Sequence, residues 1–218
     1  MDQTTLSLIA AVIIVLVSFP VHEFSHAWMA YRLGDSTARY QGRLTLNPIV
    51  HFDPLGGLML LLSSYAGIGI GWAKPTPVNF ANLRNGRTGE ALVAAAGPVS
   101  NVLLAIAGGV VFRVVYSMAP DPTSGQSNLL QILLIFVEIN VSLFIFNLIP
   151  VPPLDGTRVL LAFLPPRIAY KYEPLLYQYG AYVLLAIIFI PALVHINGPI
   201  QIVFNAIGLP IVRLITGL

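Results

Sequence analysis

Six stretches of nearly pure apolar sequence, at about residues 5–31, 55–71, 90–118, 128–150, 174–195 and 198–217, decide what can surround this chain. About 20 apolar residues in a helix match the ~30 Å hydrocarbon core of a bilayer. A soluble domain carries about a quarter charged residues. This chain of 218 residues has 9% charged and 56% hydrophobic residues, with a mean hydropathy of +0.81. A surface of that kind finds its solvent in lipid. The expected fold class is an all-α polytopic membrane protein, read as one domain over residues 1–218. Its core spans about 5–162 and its C-terminal helices about 174–217. A formal net charge of +2 without a long basic run gives no sign of nucleic acid. The chain has no cysteine, which excludes disulfides and thiolate sites. "MDQTT" lacks the positive region of a cleavable signal peptide, so the first run is read as retained.

Charge in the linkers orients the runs, because Lys and Arg collect on the cytoplasmic side. Residues 32–54 carry Arg32, Arg39 and Arg43, and residues 72–89 carry Lys74, Arg84 and Arg87. Both linkers belong inside, so the run 55–71 between them is expected to dip in and return. It is short for a span and ends in "GIGIGW", poor helix material. About five transmembrane helices plus this re-entrant segment remain, with the N-terminus outside and the C-terminus cytoplasmic. The ends of the first and fourth runs then meet at the cytoplasmic face.

Those two ends carry the chemistry. "SFPVHEFSHAWMA" (18–30) puts His22 and His26 four residues apart, about 40° around a helix and one turn along it, so both rings point one way. Neutral imidazole is a good zinc ligand, and H-E-x-x-H on a helix is the metalloprotease pattern. Glu23 stands about 100° from His22, near enough to address an attacking water without ligating the metal. Ionisable groups in a membrane helix cost roughly 2.5–3.5 kcal/mol each on insertion scales, which metal binding offsets. The bland reading has the histidines bonded to neighbouring helices and Glu23 paired with an arginine. A catalytic zinc takes three protein ligands. Asp155 in "NLIPVPPLDGTRVL" is the chosen third, because Pro150, Pro152 and Pro153 break the fourth helix beside it. Its alternative role is an N-cap for "DGTRVLLAFL". His51 and Asp53 in "NPIVHFDPLG" are rival ligands, or caps of the re-entrant run, or contacts for substrate.

HEFSH, "GRLTLNPIVHFDPLG", "GWAKPTPVN", "AAAGPVSN" and "FNLIPVPPLDG", in this order from about Val21 to Leu160, resemble the site-2 protease family of intramembrane zinc metalloproteases. The likeness is to its compact prokaryotic branch, without PDZ or cystathionine-synthase-like domains. It implies one catalytic zinc held by His22, His26 and Asp155, Glu23 as general base, and a transmembrane protein or peptide as substrate. The basic linkers put the chain in the cytoplasmic membrane with the site toward the cytoplasm, where water can reach it. Asn147, eight residues before Asp155, is the expected oxyanion donor, a spacing the family shares; its alternative is an interhelical hydrogen bond.

Other features are weaker. Gly67, Gly69 and Gly71 would let another backbone approach, so an extended edge there suits an unwound substrate; a plain glycine turn is the simpler reading. The small residues of run 90–118 suit close helix packing, with Asn101 bonding across helices or reaching the site. Glu138 and Asn140 lie mid-run, with Arg113 a candidate partner for Glu138, and His195 falls in an outer turn. Two other functions stay open: a metal-ion transporter, and an inactive protease-like binder of membrane proteins. No internal repeat of the transporter kind is visible, and an intact Glu23 speaks against the inactive form.

Overall fold

A computed structural model describes residues 3–65, 71–118, 126–194 and 196–218. The chain opens with α1 (Gln3–Ile13), which passes through a π-helical turn at Ile14–Ser18 into α2 (Phe19–Arg32). Two single turns, α3 (Thr37–Tyr40) and α4 (Pro48–His51), lead to α5 (Pro54–Tyr65). The long α6 (Gly86–Met118) and α7 (Gln126–Asn147) follow, then the short α8 (Gly156–Phe163) and α9 (Pro166–Leu193). The last helix is α10 (Pro199–Val203) joined through a second π turn to α11 (Leu209–Thr216). Five helical stretches are long and apolar enough to cross a membrane: Leu8–Arg32, Gly86–Met118, Asn128–Asn147, Pro166–Pro191 and Pro199–Thr216. The expected all-helical architecture, with five helices able to span, is thus the one observed.

The segment expected to re-enter folds back on itself. Twelve residues of α5 rise about 18 Å at 1.5 Å each, well short of the hydrocarbon core. By Gly71 the chain is back beside Leu60 and the Gly56 carbonyl, and the Trp72 carbonyl lies against Gly56. A Cβ on Gly56 would collide with Trp72 of the returning segment, and one on Gly71 with Leu60 and the Gly56 carbonyl of α5. Of the three glycines expected at the tip, Gly67 and Gly69 lie outside the described residues, as does His195.

Small residues set how closely the spans pack. Gly108 of α6 receives Phe136 and Val137 of α7, and Gly109 receives Ile215 of α11. Ala105, Val137, Val141 and Val212 form the buried centre of this three-helix contact. The direction of α11 departs from the expected alternation. Val212 shares a cluster with Ala105, Ile215 meets Gly109, and Gly217 approaches Arg113, so the numbers climb together and α11 runs parallel to α6. Arg113 Nε donates to the Ile215 carbonyl at 2.7 Å, and its Nη2 to the Leu214 carbonyl, closing the open C-terminal end of α11. Arg113 is therefore not the partner of Glu138, which has none among the described residues. The chain ends 16 residues beyond Gly97 along α6, about 24 Å from the level of the histidines.

Loops at the opposite end are tied down by charged side chains bonded to backbone. Fully buried Asp35 accepts from the Thr37 hydroxyl (2.6 Å), the Thr37 amide (3.1 Å), the Asn79 amide (2.8 Å) and Asn82 Nδ2 (2.9 Å). Arg43 donates to the carbonyls of Val50, Lys74 and Pro75, and the Lys74 amide donates to the His51 carbonyl at 2.8 Å. These bonds stretch residues 71–79 across the end of α2. The extended form suits "KPTPVN", since prolines 75 and 77 fix φ and bias their neighbours away from helix.

Candidate active site

His22 and His26 project from α2 toward α6, and Asp155 comes from the end of the proline-broken link after α7. His22 Nε2 and His26 Nε2 are 3.0 Å apart. Asp155 Oδ2 lies 3.2 Å from the first and 3.3 Å from the second. Among the described residues this is the one cluster of three or more His, Cys, Asp or Glu side chains arranged to hold a metal ion. Asp155 sits at the N-cap of α8, yet its side chain caps nothing; the carboxylate turns to the histidines instead. Arg158, one turn on, anchors α8 through Glu90 of α6 at 2.9 Å and lies 3.7 Å over the Phe80 ring.

The rivals go elsewhere. His51 is buried and its Nε2 bonds the Thr45 carbonyl at 2.8 Å. Asp53 caps α5 by accepting from the Gly56 amide at 2.8 Å.

Three observations bear on whether a metal fits. Asp155 Oδ2 is buried and, among the described residues, makes no hydrogen bond. His26 Nδ1 bonds the Val93 carbonyl at 2.7 Å; a carbonyl only accepts, so Nδ1 carries a hydrogen and, in the neutral ring, the Nε2 lone pair faces the carboxylate. Finally, a Cβ on Gly97 would stand 2.6 Å from His22 Nε2 and closer still to His26 Nε2. The glycine of "AAAGPVSN" therefore keeps the space beside the donors clear. Two imidazoles and a carboxylate form a donor set that suits zinc with one position left open.

Glu23 is one residue along α2 and lines a cleft of about 430 Å³ with the three donors, Asn147 and Arg158. Its Oε2 accepts from the Thr76 backbone amide at 2.8 Å, and its own carbonyl accepts from the Thr76 hydroxyl at 3.0 Å. Among the described residues nothing bonds Oε1. Asn147 also reaches the cleft wall, with its Nδ2 donating to the Leu143 carbonyl of its own helix at 3.0 Å. Gly71, Trp72 and Ala73 line the same cleft. Sequence reasoning missed Thr76 and Arg158 and undervalued Asn101, whose Oδ1 lies 2.7 Å from His22 Nδ1.

Apolar helices around a buried His, His, carboxylate cluster, with a glutamate beside it in an open cleft, define a multi-pass membrane protein built around a candidate metal centre. Comparison with known proteins places it further. The model of Peptidase family M50 matches residues 113–191. YwhC of Bacillus subtilis (strain 168), named as a candidate zinc metalloprotease, is 43% identical over 161 residues, covering 73% of this chain and 71% of the relative. Rip2 of Mycolicibacterium smegmatis and Rip2 of Mycobacterium tuberculosis, named in the same way, are each 31% identical over 82% of this chain and 66% of their own length. No solved structure gives a significant match. The chain belongs to peptidase family M50, the family whose site-2 proteases its motifs resemble.

Proposed function

We propose that this chain is an intramembrane zinc endopeptidase that cuts peptide bonds within or near the transmembrane segments of membrane proteins. The observation that carries the reading is the convergence of His22 Nε2, His26 Nε2 and Asp155 Oδ2 beside Glu23 in one cleft. His22, His26 and Asp155 would hold one zinc ion. When bound, zinc supplies Lewis acidity at the scissile carbonyl and brings the pKa of the attacking water toward about 7. Glu23 is the general base: with Oε2 held by the Thr76 amide, Oε1 takes the water proton and later hands it to the leaving amine nitrogen. Asn147, by releasing its bond to Leu143, donates to the developing oxyanion. A substrate helix hides its amides in its own hydrogen bonds and must unwind first. Gly71–Ala73 give it an extended neighbour; among the described residues no bond engages the Ala73 amide or carbonyl, and such an edge suits pairing with an unwound substrate.

For orientation, the basic linkers support a site on the cytoplasmic side of the cytoplasmic membrane, with the N-terminus outside. The packing of α11 on Arg113 argues that the C-terminal residues lie toward the outer side, against the hydropathy-based expectation of a cytoplasmic end; with the N-terminus outside, α9 and α10–α11 then do not both cross. The functional test is direct. Protein purified with zinc is given a transmembrane peptide, and wild type is compared with Glu23→Gln. Cleavage by wild type, with a loss of about 10²–10⁴-fold in the variant and zinc retained, supports the proposal. Equal cleavage rejects Glu23 as the base, and metal uptake into vesicles without cleavage favours a transporter.

A further inference from the structure

We infer that Asn140 and Asn101 form a one-way hydrogen-bond relay that sets the tautomer of His22, so that its Nε2 reaches the metal as a free lone pair. The inference rests on the metal-site reading above. Both asparagines are fully buried, Asn101 on α6 and Asn140 on α7. Asn140 Nδ2 donates to the Phe136 carbonyl at 2.9 Å. A carbonyl only accepts, so this end fixes the amide and turns Asn140 Oδ1 toward Asn101. There it accepts from Asn101 Nδ2 at 3.0 Å. Asn101 is thereby oriented in turn, with Oδ1 directed at His22 Nδ1, 2.7 Å away. An amide oxygen has no hydrogen to give, so the imidazole hydrogen sits on Nδ1. In the neutral ring Nε2 is left bare. Nε2 is the atom 3.0 Å from His26 Nε2 and 3.2 Å from Asp155 Oδ2.

Running the relay backwards would set Asn140 Oδ1 against the Phe136 carbonyl, two acceptors with no hydrogen between them, in an apolar bundle where water offers no relief. Two asparagines serving helix packing alone could close on each other with reciprocal bonds. Here a single bond joins them, and their outer groups go to a carbonyl at one end and an imidazole at the other. His26 reaches the same tautomer through a separate partner, the Val93 carbonyl. Asn140 is thus a positioning residue, acting on the metal through two intermediaries from the far helix.

The test measures zinc affinity by chelator competition on the full-length protein, with thermal unfolding to confirm the fold. Asn140→Leu and Asn101→Leu are expected to weaken zinc by about 10–100-fold, the usual effect of removing an outer partner of a ligating histidine. In the double variant Asn101→Asp, Asn140→Leu the carboxylate keeps an acceptor for Nδ1–H with no amide oxygen facing it, and zinc affinity is expected to recover toward wild type relative to Asn140→Leu alone, which a packing role would not predict. Nitrogen NMR of the metal-free protein above neutral pH reads the tautomer itself: Nδ1–H at His22 in wild type, mixed in Asn140→Leu. An Nε2–H tautomer in wild type, or zinc affinity within about twofold of wild type in folded Asn140→Leu, would overturn the relay. Absence of zinc binding by wild type would instead strike the metal-site reading beneath it.

Discussion

Thr76 donates its backbone amide to Oε2 of Glu23 at 2.8 Å, so the carboxylate proposed as the general base is held by a loop 53 residues away in sequence. Hydrogen bonds to charged groups contribute about 1.5–3 kcal/mol, and neutral ones about 0.5–1.5. Thr76→Pro removes the amide and is expected to lower kcat by about 10–100-fold with zinc content unchanged. Thr76→Val keeps the amide, loses only the hydroxyl bond to the Glu23 carbonyl, and is expected to stay within about tenfold of wild type. Steady-state cleavage kinetics of the two variants decide whether amide or hydroxyl matters; equal losses would remove the amide from the account.

Gly97 makes a sharper prediction about the metal. In Gly97→Ala the new methyl group would occupy space beside His22 Nε2 and His26 Nε2. Overpacking of this kind costs about 1–3 kcal/mol, so zinc affinity should fall by roughly 10–100-fold while the helices persist. Metal analysis alongside circular dichroism checks both halves. Wild-type affinity would mean that the rings have room to retreat.

Asp35 links stability to pH. Burial alone would push its carboxyl up, but hydrogen bonds from Thr37, Asn82 and Asn79 outweigh it and hold the group below the ordinary aspartate value. A depressed folded-state pKa stabilises the protein above the unfolded value of about 3.9, and that stability is lost as pH falls through the folded value. Wild type should therefore lose thermal stability below about pH 4 more steeply than Asp35→Asn, which should be less stable at neutral pH. Parallel melting curves against pH would contradict this.

The direction of α11 is open to labelling, and a chain without cysteine is a clean background for it. A single cysteine at Leu218 and another at Asn82 should react from opposite faces of sealed vesicles. Reaction from the same face would restore simple alternation and break the pairing of α11 with Arg113.

Much of this arrangement was legible beforehand. Helical spacing put His22 and His26 on one face, and the prolines before Asp155 marked a break where a carboxylate is tolerated in a membrane. The basic linkers on both sides of 55–71 required the return now seen between Gly71 and Leu60. Thr76 escaped because its contribution is a backbone amide, which every residue but proline has; only its place between two prolines distinguished it. The spacing of Asn101 suits helix packing and the site alike, and it bonds both Asn140 and His22; which way two amides face is not written in the sequence. Hydropathy measures whether a helix can span but not which way it runs, so α11 became clear only through Gly109 and Arg113.

The flanks of Thr76 also limit how the cleft wall can move. From Pro75 to Pro77 there is one N–H, and a slide of one residue either way would offer Glu23 a ring nitrogen with no hydrogen. A slip of one residue therefore forfeits the backbone bond that holds the Glu23 carboxylate.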